Sequence, residues 1–200
     1  MSNFINCLVK EISKTNSQFS DLELKKMEYG LLCFWDEITK LIPYFIIFWL
    51  FSVQRYYIIA LIFFCPIRLF AGGYHAKTYW GCFFISFFIF SSIIFIGKHI
   101  LFNSTILIVS LIVSFILVCI YSPVDNINKR IKSKEQRMKL KYFSIIITFS
   151  LSILCCFIPH RFLPTAAISI ISATILMMIG KINNRESHIK WNKKGLSHNA

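Results

Sequence analysis

Residues 100–121 run for 22 positions without a charged side chain. As a helix rising about 1.5 Å per residue, that run is about 33 Å long, enough to cross a hydrocarbon core of about 30 Å. A segment that crosses a bilayer must satisfy its own backbone hydrogen bonds, so an isolated span of this kind is helical. Five further apolar segments cover residues 41–53, 56–67, 81–96, 142–158 and 162–179. The segment at 41–53 is short, reaching only about 20 Å as a helix. It either recruits residues from Asp36 onward or sits where the bilayer thins.

Composition agrees with that reading. Hydrophobic residues make up 56% of the chain and charged residues 16%, with a mean hydropathy of +0.63. A soluble domain carries about 25% charged residues, so this chain lacks the polar side chains to cover a globular surface. A soluble enzyme, a disordered regulator and a soluble nucleic-acid-binding module are therefore excluded. The expected fold is all-α, a polytopic integral-membrane helical bundle of about six transmembrane segments with an amphipathic N-terminal region. One domain is expected over residues 1–200, with interfacial N-terminal helices at 1–40, membrane helices at 41–179 and a loose basic tail at 180–200. In the N-terminal region Ile5, Leu8 and Ile12 recur at helical spacing, as do Leu24, Met27, Leu31 and Trp35. Either stretch can lie flat on a membrane surface or pack on the rest of the protein.

Gln54 and Arg55 interrupt residues 41–67. If that stretch were one span, Arg55 would sit near its middle, at a cost of about 2.5–3.5 kcal/mol or more. A tight turn moves Arg55 to an interface and places Tyr56 and Tyr57 where aromatic belts form, which makes six spans. The charge pattern then orients them. With the N-terminus inside, the inner segments at 1–40, 68–80, 122–141 and 180–200 hold 19 of the 22 basic residues. The positive-inside rule selects that topology, with both termini cytoplasmic. A five-span alternative would move the N-terminal basic residues outward together with the acidic ones beside them. The net charge of +13 is thus expected to face anionic lipid of the inner leaflet, with no role in binding nucleic acid. The run Lys129, Arg130, Lys132, Lys134, Arg137, Lys139 and Lys141 fits a plain topology determinant, and it also fits an electrostatic dock for lipid or an acidic peptide.

Seven cysteines are an odd number in a chain with no secretory signal peptide at its start, which argues against a disulfide scaffold. Cys65, Cys119, Cys155 and Cys156 read as small hydrophobes within apolar runs. Cys82 differs. It closes the stretch Arg68-Leu-Phe-Ala-Gly-Gly-Tyr-His-Ala-Lys-Thr-Tyr-Trp-Gly-Cys82, the loop that combines His, Cys, Arg, Lys and three glycines. A cysteine at the start of a helix, next to a histidine, is placed to act as a thiolate nucleophile, with the histidine protonating a leaving amine. Seven residues along one helix would hold His75 and Cys82 about 10 Å apart. The Gly72–Gly73 segment must therefore fold back and carry His75 off the helix. From spacing alone, a packing cysteine and a solvated histidine are the commoner reading of such a pair. Arg68 and Lys77 can snorkel to headgroups, or bind a substrate carboxylate or an oxyanion. Asp125, Asn126 and Asn128 in the other inner loop are candidates for orienting His75, as are Glu28, Asp36 and Glu37. No metal site and no cofactor are expected, because no further His or Cys cluster shares that side.

The stretch from Arg68 through Gly-Gly-Tyr-His-Ala-Lys-Thr to Cys82, with Ser-Pro-Val-Asp-Asn-Ile-Asn-Lys at 122–129, resembles the accessory gene regulator B (AgrB) proteins. Length, hydrophobic segments and basic inner loop resemble that family over nearly the whole chain. The resemblance implies a multi-pass cysteine endopeptidase in the cell membrane of a Gram-positive bacterium. Such an enzyme acts in quorum sensing on a small AgrD-type precursor peptide. It also implies a homodimer, with His75 and Cys82 catalytic and Arg68 and Gly73 important for activity. Gly72, Lys77, Asp125, Asn128, Lys129 and Arg130 are expected as supporting or substrate-binding residues. A transporter or a non-catalytic chaperone for a hydrophobic peptide is the alternative. A transporter normally places polar or charged groups within its spans, and these spans are poor in them.

Overall fold

The structure is a computed structural model that describes residue 11 and residues 21–74, 76, 78–100, 103–124 and 133–197. Six helices account for nearly all of it: α1 (Asp21–Leu50), α2 (Gln54–Ala71), α3 (Tyr79–His99), α4 (Ser104–Tyr121), α5 (Lys134–Leu154) and α6 (Leu163–Ser197). A single 3-10 turn, Cys155–Phe157, extends α5. Five of the helices, α2 to α6, are long and apolar enough to cross a membrane. The architecture is the expected all-α, polytopic membrane protein.

The chain divides into two compact units, residues 1–52 and 53–200. Within the first, α1 joins the amphipathic stretch at 21–35 and the apolar segment from residue 41 into one 30-residue helix. Lys40 is buried, and its Nζ donates to Glu37 Oε1 one turn back at 3.1 Å. The helix ends in a turn in which Ser52 takes a positive φ of 55°. A new helix begins at Gln54, so Arg55 lies in a first turn and is exposed. Residues 41–67 are thus two helices, which spares Arg55 a mid-span position. The N-terminal repeat Ile5, Leu8 and Ile12 lies outside the described residues.

In the second unit α6 is the centre. The helices α3, α2, α5 and α4 form an arc around it in that order. Half of the apolar window of α6 is buried, against 17% for α4 and α5. The reason is its side chains. Thr165, Ala166, Ala167, Ser169, Ala173, Thr174 and Gly180 are buried along one side, and small residues let membrane helices approach closely where no hydrophobic effect drives them together. Two of the hydroxyls there are satisfied within the helix: Ser169 Oγ donates to Thr165 O at 2.6 Å and Thr174 Oγ1 to Ile170 O at 2.9 Å, whereas Thr165 Oγ1 is buried with no partner among the described residues. Such back-bonding lets a hydroxyl sit in an apolar interior.

Cross-contacts fix the directions. Tyr56 packs on Phe162, and Arg161 Nε donates to the Tyr56 hydroxyl at 2.9 Å, so α2 and α6 start at the same end. Phe70 near the end of α2 meets Phe143 in α5, and Lys181 lies 4.0 Å over the Tyr121 ring at the end of α4. Hence α2, α4 and α6 run one way, and α3 and α5 return. The outer faces are apolar, as on α4, where Ile106, Val109, Ile112, Val113 and Ile116 are all exposed. A face like this is stable against lipid and would be an aggregation surface in water.

Two boundaries differ from the hydropathy reading. The helix α5 begins at Lys134, eight residues before the apolar run at 142, and α6 continues to Ser197 through what was expected to be a loose tail. Hydropathy marks contact with lipid rather than helicity, and the Lys, Arg, Glu and Gln that flank the apolar runs are good helix formers.

The central role of α6 makes a testable statement. Ala173 is fully buried on it, whereas Ile175 is exposed. Ala173→Leu is expected to destabilise the protein by about 1–3 kcal/mol through overpacking, lowering its thermal midpoint in detergent, while Ile175→Leu leaves the midpoint unchanged. Equal midpoints for the two variants would contradict this packing.

Candidate active site

The helix α2 ends where its sequence allows no other course. Gly72 has φ 75° and ψ −154°, and Gly73 has φ 134°. These conformations are open to glycine and strained for other residues. The described residues from 72 to 78 are not helical. The loop therefore leaves the helix axis, as the fold-back expected for this segment requires.

The freed backbone groups of this loop find three sets of partners. Arg68, in the last turn of α2, donates from one guanidinium nitrogen to Gly72 O at 3.0 Å and from the other to Tyr74 O. The fork of the guanidinium thus staples the turn to the helix that it leaves. On a second side, Val124 N donates to Ala71 O at 2.9 Å, and Gly72 and Val124 form an isolated parallel bridge. The backbones meet so closely that a Cβ on Gly72 would lie 2.2 Å from Val124 O. On a third side, Tyr74 N donates to Leu176 O in α6 at 3.0 Å. Arg68 and the two glycines are thus parts of one turn.

The segment at 122–124 is itself anchored. Ser122, Pro123 and Val124 are all buried, and the Ser122–Pro123 peptide is cis. The Ser122 hydroxyl shares a hydrogen bond with the Ser144 hydroxyl of α5, and Ser144 Oγ also lies 2.8 Å from Lys141 O. A family-like motif in the sequence is, in its described part, a buried backbone strut against the glycine turn.

Cys82 stands in the first turn of α3. Thr78 caps that helix: its Oγ1 accepts from Gly81 N at 3.1 Å, and its carbonyl accepts from Cys82 N at 3.0 Å. The cap fixes the helix start, and with it the half-buried Cys82. Amide groups at a helix N-terminus favour negative charge nearby. Around it, Tyr79, Trp80, Phe83 and Phe84 form consecutive ring contacts with centroids 5.5–5.8 Å apart. Trp80 and Phe84 remain largely exposed. Cys82 thus joins a polar helix start to an aromatic surface.

Of the expected site residues, Arg68, Gly72, Gly73 and Cys82 are described. His75, Lys77, Asp125, Asn128, Lys129 and Arg130 lie outside the described residues, as does Asn126. His75 follows Tyr74 directly in the chain, one residue beyond the amide held by α6. Sequence reasoning missed Leu176, Gly180 and Ser144. The first acts through a backbone carbonyl, which has no signature in sequence. Gly180 did carry a signal: a glycine in a membrane helix often marks a close backbone approach.

A sequence model of the family described as accessory gene regulator B matches residues 2–181. A putative AgrB-like protein of Clostridium beijerinckii is 29% identical over 145 residues, which cover 70% of this chain and 72% of that one. A second, from Clostridium acetobutylicum, is 28% identical over 144 residues, 72% of this chain and 69% of the relative. The accessory gene regulator protein B of Staphylococcus carnosus is 30% identical over 137 residues, 68% of this chain and 71% of its own. No solved structure matches the chain. The family match covers α1 to α5, the glycine turn, Cys82 and α6 as far as its contact with that turn. This multi-pass membrane protein belongs to the accessory gene regulator B family, with a role in the agr quorum-sensing system.

Proposed function

We propose that this protein is a membrane-embedded cysteine endopeptidase that processes an AgrD-type precursor peptide and promotes its cyclisation. The observation that carries the reading is the joint placement of Cys82 in the capped first turn of α3 and of the glycine turn, clamped on three sides, that leads into His75.

The chemistry is that of an acyl transfer between thiols. Cys82 Sγ attacks the carbonyl of the scissile peptide bond as its proton passes to His75. The carbon–nitrogen bond breaks, His75 gives the proton to the departing amine, and the C-terminal fragment leaves. The N-terminal part remains as a thioester on Cys82. An internal thiol or hydroxyl of that peptide then attacks the thioester carbonyl as its proton passes to His75, the bond to Cys82 Sγ breaks with return of that proton to the sulfur, and a thiolactone or lactone ring closes. A thioester and a thiolactone are close in energy, so the acyl bond survives only where water is kept away from it. Tyr79, Trp80 and Phe83, together with Phe70 near the end of α2 and Tyr74 of the glycine turn, are the groups that would supply that shelter.

The charge pattern supports an orientation and a docking mode. Lys134, Arg137, Lys139 and Lys141 of α5 and Lys181 of α6 lie at the end of the bundle that holds the glycine turn and Cys82. By the positive-inside rule that end faces the cytoplasm. The precursor's amphipathic leader would lie on the inner leaflet and its acidic C-terminal part against the basic residues at 129–141. The protein would act as a homodimer.

Three expected outcomes test this reading. Co-expressed with the precursor, wild type releases a C-terminal fragment detectable by mass spectrometry. Cys82→Ala and His75→Ala release none, while Cys65→Ser and Cys156→Ser retain release. Equal processing by wild type and Cys82→Ala would refute a thiol mechanism in favour of a transporter or chaperone. Arg68→Lys keeps the charge but cannot hold two carbonyls in one plane, and is expected to lower processing by about tenfold or more in protein that still accumulates. Neutralising Lys129, Arg130, Lys132 and Lys134 together should raise KM for the precursor with kcat little changed. Unchanged processing would remove the docking role.

A further inference from the structure

We propose that Gly180 of α6 is a positioning residue for the reaction, setting the place of the turn that carries His75. The inference rests on the protease reading above and extends it to a helix about 100 residues from the catalytic pair in sequence.

Three observations carry it. A Cβ on Gly180 would lie 2.5 Å from Gly73 C, 2.5 Å from Tyr74 N and 2.8 Å from Gly73 Cα. All three are backbone atoms, so no side chain can swing aside. Ordinary carbon contacts are about 3.5 Å or longer, so any side chain at 180 forces the turn to retreat by about 1 Å. Second, that turn has little freedom to retreat elsewhere. Gly73 lies against the Arg68 guanidinium of α2, where its own Cβ would come within 2.0 Å of Arg68 Nη1. Gly72 is pressed by Val124, and Arg68 holds the carbonyls at 72 and 74. Third, the contact is a hydrogen-bonded seat rather than loose packing, since Tyr74 N donates to Leu176 O. A displacement at Gly180 would break this bond, and the next residue in the chain is His75.

Gly97 supplies a control of the same kind far from the site. At the opposite end of the second unit, its Cβ would lie 2.3 Å from Thr165 Oγ1 and 2.8 Å from Thr165 Cα. A methyl group there disturbs packing against α6 to a similar degree and leaves the glycine turn alone.

The experiment compares purified wild type, Gly180→Ala, Gly97→Ala and Cys82→Ala in liposomes. Steady-state cleavage of the synthetic precursor peptide, thermal midpoints and the rate of Cys82 alkylation by iodoacetamide, read at that residue by peptide mapping, are measured together. Gly180→Ala is expected to lose about 10- to 100-fold in kcat with KM within about twofold, as an error of about 1 Å in a reacting group implies. Its Cys82 alkylation should slow as well. Gly97→Ala should match its fall in midpoint and keep kcat and the alkylation rate. Should Gly180→Ala not accumulate as folded protein, Tyr74→Pro takes its place, with Tyr74→Ala as the side-chain control. It removes the amide that donates to Leu176 without altering α6, and the same loss of kcat is expected. If Cys82→Ala is inactive but Gly180→Ala, or Tyr74→Pro in its place, keeps wild-type kcat or loses no more than its control, the positioning role is overturned and the protease reading stands. If Cys82→Ala cleaves the precursor as wild type does, the protease reading falls and this proposal falls with it.

Discussion

A chain that leaves a helix beside a membrane must find a partner for every carbonyl and amide it uncovers, because lipid offers none. The end of α2 is where this protein meets that constraint most sharply. The carbonyls of Ala71, Gly72 and Tyr74 and the amide of Tyr74 all leave the helical pattern, and each is answered: by Val124 N, by the two arms of Arg68, and by Leu176 O. The partners come from the same helix, from the start of the loop after α4, and from α6. One local backbone problem thereby ties three parts of the chain together. Two glycines are required at its centre because the φ values and the close approach of Val124 leave no room for a side chain.

The packing of α6 follows from the same need for close approach. Its buried side is mostly alanine, threonine, serine and glycine, with Ile170 and Met177 among them, so its backbone is accessible to neighbours in a way that a leucine-rich helix would not allow. At one end this admits Gly97 of α3 beside Thr165; at the other it admits the glycine turn beside Leu176 and Gly180. The hydroxyls of Ser169 and Thr174 cost little there because each bonds a carbonyl one turn back. Van der Waals contact and backbone hydrogen bonds therefore do the work that apolar burial does in water.

Much of this was legible in the sequence. The spans stand out as apolar runs, and the break before α2 follows from the cost of leaving Arg55 at mid-span. The start of α3 shows only as the beginning of the apolar run at residue 81, two residues after the helix begins at Tyr79. The ends of α5 and α6 were not legible, since Lys134 to Lys141 and the residues after Gly180 are polar yet helical, and hydropathy cannot separate a polar helix from a polar tail. The site divides in the same way. Cys82 and the glycine turn are conspicuous by composition. Their supports are not: Leu176 contributes a carbonyl, Val124 an amide and a carbonyl, and Gly180 an absence. Backbone atoms are the same in every residue, so a contact made by them across 100 positions leaves no pattern to read, except that a residue with a side chain would not fit.

That distribution of roles has a chemical logic. On the proposed function, a protease that retains its acyl group for ring closure would need its nucleophile and base held firmly while the peptide, not water, reaches the thioester. Beyond Arg68, whose guanidinium holds two carbonyls of the turn, further side chains that held the loop would have to come from residues whose own rotamers needed fixing in turn. Backbone struts avoid that regress, because α2, α6 and the segment at 122–124 are already rigid through their own hydrogen bonds. The exposed surface around Cys82 is left to Trp80, Phe84 and their neighbours, which can meet lipid or an amphipathic peptide without taking part in holding the turn. Separating the rigid support, built of main chain, small residues and the Arg68 guanidinium, from the adaptable aromatic surface lets one change without disturbing the other. If the proposed function holds, adaptation to different peptides is expected at the aromatic surface and the basic helix start, while the glycine turn and its seat on α6 stay fixed.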